Sequence, residues 1–281
     1  MLEPLTIAMM LGAGLLHATW HALVKSGSDQ PIVLAGMGLV AGAAAVCVVP
    51  FLPFPAPDVW LVIACSVLLH VGYKIGLARA YALGDLGQAY PLGRGMVPMF
   101  STAIALLLLG QVPPAQQLLG ISVVSAGLIW LAVHSLRRDT DPRLFAATAL
   151  VGTAVAGYTA LDAYGARLSG DWASFTAWLV LADSVSFGLL TYLMRGQALW
   201  NEIRPLRWRI LASGVLGLGS FSIFLWALSR SPVGAISALR EASILFTVLI
   251  GMFFYGEPRS LSRIGAVVTI AIGLIAIAAS R

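Results

Sequence analysis

This chain has little charge. Asp, Glu, Lys and Arg make up 10% of its 281 residues, where a soluble domain carries about 25%. So few charges cannot cover a water-facing surface, which excludes a soluble globular protein. Cysteine is scarcer still. Cys47 and Cys65 are the two in the chain, and both lie inside apolar stretches, where they read as small hydrophobes rather than as a disulfide or a metal site. A Gly-rich phosphate loop, paired aspartates at metal spacing and a Ser-His-acid motif are all missing. The pattern therefore points away from an enzyme and from an ATP-driven pump. The net charge of +5 and pI near 9.6 would suit nucleic acid, but the Lys and Arg sit at the ends of apolar stretches and in loops, where they signal membrane topology. No nucleic-acid partner, cofactor or metal is expected.

What is present is apolar length. The chain is 59% hydrophobic with a mean hydropathy of +0.90, and runs of about twenty residues, enough to cross a bilayer core, follow one another. The predicted spans are 5–24, 32–52, 58–80, 87–109, 115–135, 144–167, 172–195, 208–229, 233–255 and 261–279. Proline marks the breaks, at Pro31, at Pro53-Phe54-Pro55-Ala56-Pro57 and at Pro113-Pro114, because it cannot continue a hydrogen-bonded helix. Glu3-Pro4 leads straight into a span too long for a cleavable signal sequence.

The second half echoes the first. Tyr81-Ala82-Leu83, a helix, Gly110-Gln111 and Gly120 are answered by Trp226-Ala227-Leu228, a helix, Gly256-Glu257 and Gly265. A fainter echo sets His17-Ala18-Thr19-Trp20-His21 against Tyr158-Thr159-Ala160-Leu161-Asp162. The expected fold is an all-α polytopic membrane protein of ten transmembrane helices in two five-helix repeats, 1–136 and 144–281, joined by the charged connector 137–143. An odd number of helices per half makes the repeats inverted, related by an axis in the membrane plane. Lys and Arg collect after the odd-numbered helices, at Lys25, Arg79, Arg137, Arg138, Arg143, Arg195, Arg204, Arg207, Arg209, Arg259 and Arg263. The positive-inside rule then puts both termini outside the cytoplasm in a multi-pass plasma (inner) membrane protein.

Two halves, each with an Ala-Leu turn, a helix, a Gly-Glu-type turn and a Gly-rich last helix, resemble the EamA branch of the drug/metabolite transporter superfamily. The best-matching stretch runs from Trp226 through Gly234 and Gly256-Glu257 to Gly273, and Gln111 stands where the first half would carry the usual Glu. The resemblance implies five plus five helices, a central cavity and transport of small metabolites such as amino acids, their derivatives or other polar compounds. His17-Ala18-Thr19-Trp20-His21 and the chain length also resemble a subgroup associated with phosphonate utilisation.

Ionisable groups inside a bilayer are costly, so each is a functional candidate. Arg94 lies about seven residues into the fourth helix, about 10 Å deep at 1.5 Å per residue, near the middle of a core about 30 Å thick. Arg240 occupies the matching place in the ninth helix. Two guanidinium groups there suit a carboxylate or phosphonate. The bland alternative is that each snorkels or is neutralised internally. His70 and Lys74, at i and i+4 with Tyr73 beside them, form a positive vestibule, and Tyr90 joins the substrate-binding set. Asp183, Glu241 and Asp162 are the candidate proton carriers. The bland reading pairs them with arginine, and is favoured for Asp162, with Arg167, Arg230 or Arg240 as partner. Asp183 is deepest, with no obvious partner. Secondary candidates are His17, His21, Trp20, Tyr158 and Trp226, each with helix packing as the alternative. Pro91, Pro98 and Pro232 are placed to break the fourth and ninth helices.

The expected function is secondary transport of a small anionic or zwitterionic metabolite by alternating access, with the substrate between helices three, four, eight and nine. The alternatives are proton-coupled export of cationic or amphipathic compounds, and a non-transporting structural membrane subunit. The expected partners are the substrate and the lipid bilayer, and a monomer is compatible with the pattern.

Overall fold

The computed structural model describes residues 2–25, 30–83, 91–136, 140–254 and 260–280. Gly84, Gly87, Tyr90, Arg137, Arg138, Gly256, Glu257 and Arg259 lie outside the described residues. Among the described residues ten helices are long and apolar enough to cross a membrane. They are α1 (Pro4–Lys25), α2 (Gln30–Val48), α3 (Pro57–Leu83), α4 (Pro91–Leu109), α5 (Ala115–Ser135), α6 (Pro142–Leu168), α7 (Trp172–Arg195), α8 (Arg207–Arg230), α9 in two pieces (Val233–Arg240 and Ala242–Phe254) and α10 (Leu261–Ala278). A short helix at Ala198–Ile203, which the sequence reading left inside a connection, links α7 to α8.

Local chemistry sets the ends. Pro57 and Pro142 open their helices, where a missing N–H costs nothing. Asp141, Asp171 and Ser260 cap the starts of α6, α7 and α10 by accepting from the backbone N–H of Arg143, Ala173 and Arg263. Gly110 ends α4 with φ of 62°, the left-handed conformation that glycine adopts without a Cβ penalty. Large apolar side chains such as Leu61, Leu68, Leu107 and Leu193 point outward, as a lipid-facing belt requires.

The packing carries the inverted repeat. α1 packs on α8 and α3 on α6. α4 packs on α6 and α1 on α9. α2 packs on α8 and α3 on α7. Within each couple, adding five to one pairing gives the other. The contacts α2 with α7, α4 with α9 and α5 with α10 map onto themselves. That is the signature of a two-fold axis relating the halves, and it interlocks them. Small residues let the helices approach. A Cβ on Gly273 would lie 2.8 Å from the backbone nitrogen of Val124 and 2.9 Å from the carbonyl oxygen of Gly120, so α5 and α10 meet backbone to backbone.

Both central helices are broken directly after the matched arginines. α4 is helical at 91–94, turns at 95–96 and resumes at Val97. The first piece of α9 stops at Arg240 and the second starts at Ala242, with Glu241 as the joint. Pro98 follows the first break by a few residues. No proline lies at the second, and Pro232 precedes the helix as its N-cap.

Candidate functional site: a cavity between the repeats

A cavity of about 890 Å³, its open mouth included, lies between α2, α3, α7 and α8, with α1, α6 and α9 each adding a little. Its lining comes from the later part of α1, the earlier part of α2 and the middle turns of α3, α6, α7 and α8, with Arg240 from α9, so it lies around the middle of the membrane-spanning bundle. The sequence placed the site between helices three, four, eight and nine. α4 contributes nothing to the wall, because it crosses α9 instead. There the Ser101 hydroxyl donates to Ser237 Oγ at 2.8 Å, and a Cβ on Gly234 would collide with Thr102.

The two matched arginines have different fates. Arg94 is 2% exposed and bound side-on by Glu241. Its Nε donates to Oε2 at 3.1 Å, and Nη2 lies 2.8 Å from Oε1. This ion pair joins the repeats away from the cavity lining. Arg240 lines the cavity, is 9% exposed and lies over the Phe224 ring at 4.1 Å. Its Nε and Nη1 are buried and have no hydrogen-bond partner among the described residues. Buried guanidinium N–H groups without partners are donors of the kind that suit an oxyanion.

Lys74 and Asp183 face each other across the cavity with Nζ 2.5 Å from Oδ2, and Lys74 also lies 4.7 Å from the Phe187 ring centroid. Asp183, expected without a partner, therefore has one. Its Oδ1 has none among the described residues. His70 lines the cavity, stacks on Tyr158 at 4.0 Å and places Nε2 3.1 Å from Asp162 Oδ2. Ser66 donates to the other Asp162 oxygen. Asp162 is thus satisfied by His70 and Ser66 rather than by an arginine, and it lies behind the lining. Of the three arginines considered for it, Arg167 donates to the carbonyl oxygens of Leu228 and Ser231. These acid partners lie 92 to 147 residues away in the chain, beyond the reach of reasoning within one helix.

Tyr73 and Tyr158 line the cavity 5.9 Å apart, ring edge to face. His17 and Trp20 line it too, with the Trp20 indole N–H donating to His17 Nδ1 at 3.2 Å. His21 stacks on Trp20 at 3.7 Å and meets the Tyr81 hydroxyl, off the lining. Trp226 also lies off it, 4.4 Å from the Arg230 guanidinium. Ser184, Phe221 and Phe224 were missed. A Cβ on Gly42 of α2 would lie 2.8 Å from the Ser184 Cβ, a closeness that exists only once the two helices have packed. Among the described residues no group of three His, Cys, Asp or Glu is placed to hold a metal ion.

At the even-numbered turns hydrogen bonds join the two repeats. The Pro53 carbonyl accepts from Ser174 Oγ at 2.8 Å and from the Trp178 indole at 3.2 Å, and Phe54, Trp60 and Trp178 pack ring against ring above it. Gln111 Oε1 accepts from the backbone N–H of Val233 at 3.0 Å.

Residues 144–279 match the model of the EamA-like transporter family. No curated protein sequence matches the chain. One solved structure, described only as the crystal structure of a protein, superposes with a TM-score of 0.73 at 16% identity, covering 98% of this chain and 96% of its own. At that identity the likeness speaks for the fold. It extends over both repeats, whereas the family match covers the second.

Proposed function

We propose that this chain, whose residues 144–279 match the EamA-like transporter family of the drug/metabolite transporter superfamily, is a multi-pass membrane transporter of small molecules whose cargo is a small organic oxyanion, free or as the anionic end of a zwitterion, carried by alternating access. The observation that carries this reading is Arg240, a buried guanidinium at the cavity wall with two N–H groups unmet. The Lys74–Asp183 pair is internally neutral and leaves Asp183 Oδ1 free to accept from an ammonium, which favours a zwitterion such as an amino acid or an aminophosphonate. A cationic cargo fits less well, because Asp183 and Glu241 both already face cations. Of the three acids considered for proton coupling, Asp183 alone reaches the cavity, so it is the coupling residue if transport is proton-linked.

Inverted repeats supply the second state, since exchanging the conformations of the halves opens the other face. In this state the repeats are joined at Pro53 and Gln111 on the even-numbered side. The Lys and Arg count supports an inner-membrane protein with both termini outside. The test is thermal stability of the purified protein against amino acids, phosphonates, sulfonates, carboxylates and quaternary amines. A ligand at a hundredfold excess over its dissociation constant adds about 2.7 kcal/mol. Stabilisation by an oxyanion that Arg240→Gln abolishes supports the reading. Stabilisation by quaternary amines, unchanged in that variant, overturns it.

A further inference from the structure

Arg240 is not alone at the cavity wall. His17 is 3% exposed, lines the same cavity, and its Nε2 is buried with no hydrogen-bond partner among the described residues. The other ring nitrogen is occupied. An indole N–H only donates, and the Trp20 indole donates to His17 Nδ1. Nδ1 must therefore present its lone pair, and the proton of the neutral ring sits on Nε2. Trp20 cannot readily turn away, because its ring is stacked on His21 and set edge-on to His17 at 5.1 Å.

We propose that His17 is a neutral N–H donor to the oxyanion of the cargo, and that Trp20 is the positioning residue that fixes the tautomer which makes it one. This rests on the anion reading above and names its selectivity. α1 packs against both pieces of α9, which brings His17 and Arg240 to one cavity. Arg240 Nε, Arg240 Nη1 and His17 Nε2 are all donors. The group they meet together must offer acceptors only, as a carboxylate, sulfonate or phosphonate does. A carboxamide or an ammonium would set N–H against N–H and leave buried donors unmet. His17 thus sharpens the choice of oxyanion over its neutral isostere without adding charge, and a site built of unmet hydrogen bonds rejects such isosteres strongly.

The experiment compares propionate, methanesulfonate and methylphosphonate with propionamide, read as ligand-induced stabilisation of the full chain and of three variants. In His17→Asn the side-chain carbonyl takes the Trp20 N–H, but the amide stops at the place of Nδ1. In His17→Gln the amide nitrogen reaches the place of Nε2. The expected result is a loss of about tenfold or more in oxyanion affinity for His17→Asn, affinity within about threefold of wild type for His17→Gln, and no change toward propionamide. Trp20→Phe keeps the stacking and removes the N–H. Long-range proton–nitrogen spectra of ¹⁵N-histidine protein, with 4 histidines to assign, should show His17 protonated at Nε2 in the wild type and as a mixture of tautomers in Trp20→Phe. Equal affinity in Asn, Gln and wild type, or equal loss in Asn and Gln, overturns the proposal. So does a wild-type spectrum with the proton on Nδ1. In each case the anion reading survives if Arg240→Gln still abolishes binding. If none of the oxyanions stabilises the wild type, the anion reading falls and this proposal falls with it.

Discussion

At the scale of single residues, identical positions in two repeats have acquired opposite jobs. Arg94 and Arg240 match in sequence, yet one is neutralised by Glu241 and the other faces the cavity unmet. Removing one partner of a buried ion pair strands a charge at a cost of about 3–5 kcal/mol, whereas removing both costs far less. Arg94→Gln and Glu241→Gln are each expected to lower the melting temperature in detergent strongly, and the double variant to recover much of the loss. Arg240→Gln, whose Nε and Nη1 have no hydrogen-bond partner among the described residues to lose, should leave stability near wild type. A double-mutant cycle on melting temperature checks all three. Position and chemistry of these side chains were legible in the sequence, because a charge in an apolar span is conspicuous. Partners were not. Arg94 meets Glu241, Lys74 meets Asp183 and His70 meets Asp162 only after helices from different repeats have packed.

At the scale of elements, apolar length and proline punctuation were enough to find the spans, and most ends agree within three residues. The breaks in α4 and α9 were a different matter. Proline was the available signal, and α9 breaks at Glu241 with no proline there. The break coincides with the Arg94–Glu241 pair, a tertiary contact that sequence-local reasoning does not contain. The α5–α10 contact is a second case where the backbone matters more than the side chain. A Cβ on Gly273 would press on the backbone of Val124 and Gly120, and neither can rotate away. Gly273→Val should destabilise by about 1–3 kcal/mol, the usual cost of overpacking, or by more where the helices cannot separate. Thermal unfolding followed by circular dichroism reads this directly.

At the scale of the whole molecule, the cavity lies between the repeats, and hydrogen bonds at Pro53 and Gln111 join the repeats at the even-numbered turns. The proposed alternating access would slide α4 against α9 where Ser101 meets Ser237. With Cys47 and Cys65 replaced by serine, Ser101→Cys/Ser237→Cys should form a disulfide, since the hydroxyls are 2.8 Å apart and the Cβ spacing this allows suits a bridge. Oxidation should stop transport in proteoliposomes, and reduction should restore it. Loosening the clamp on Pro53 with Ser174→Ala/Trp178→Phe should shift the protein toward the state open on the even-numbered side, seen as faster thiol labelling of a cysteine placed at Thr102. The central claim is that one of two matched arginines anchors an oxyanion while the other holds the repeats together. The most direct measurement is oxyanion-induced stabilisation of Arg240→Gln beside Arg94→Gln/Glu241→Gln. The account expects the double variant to bind and Arg240→Gln to fold without binding. Binding retained in Arg240→Gln and lost in the double variant would contradict it.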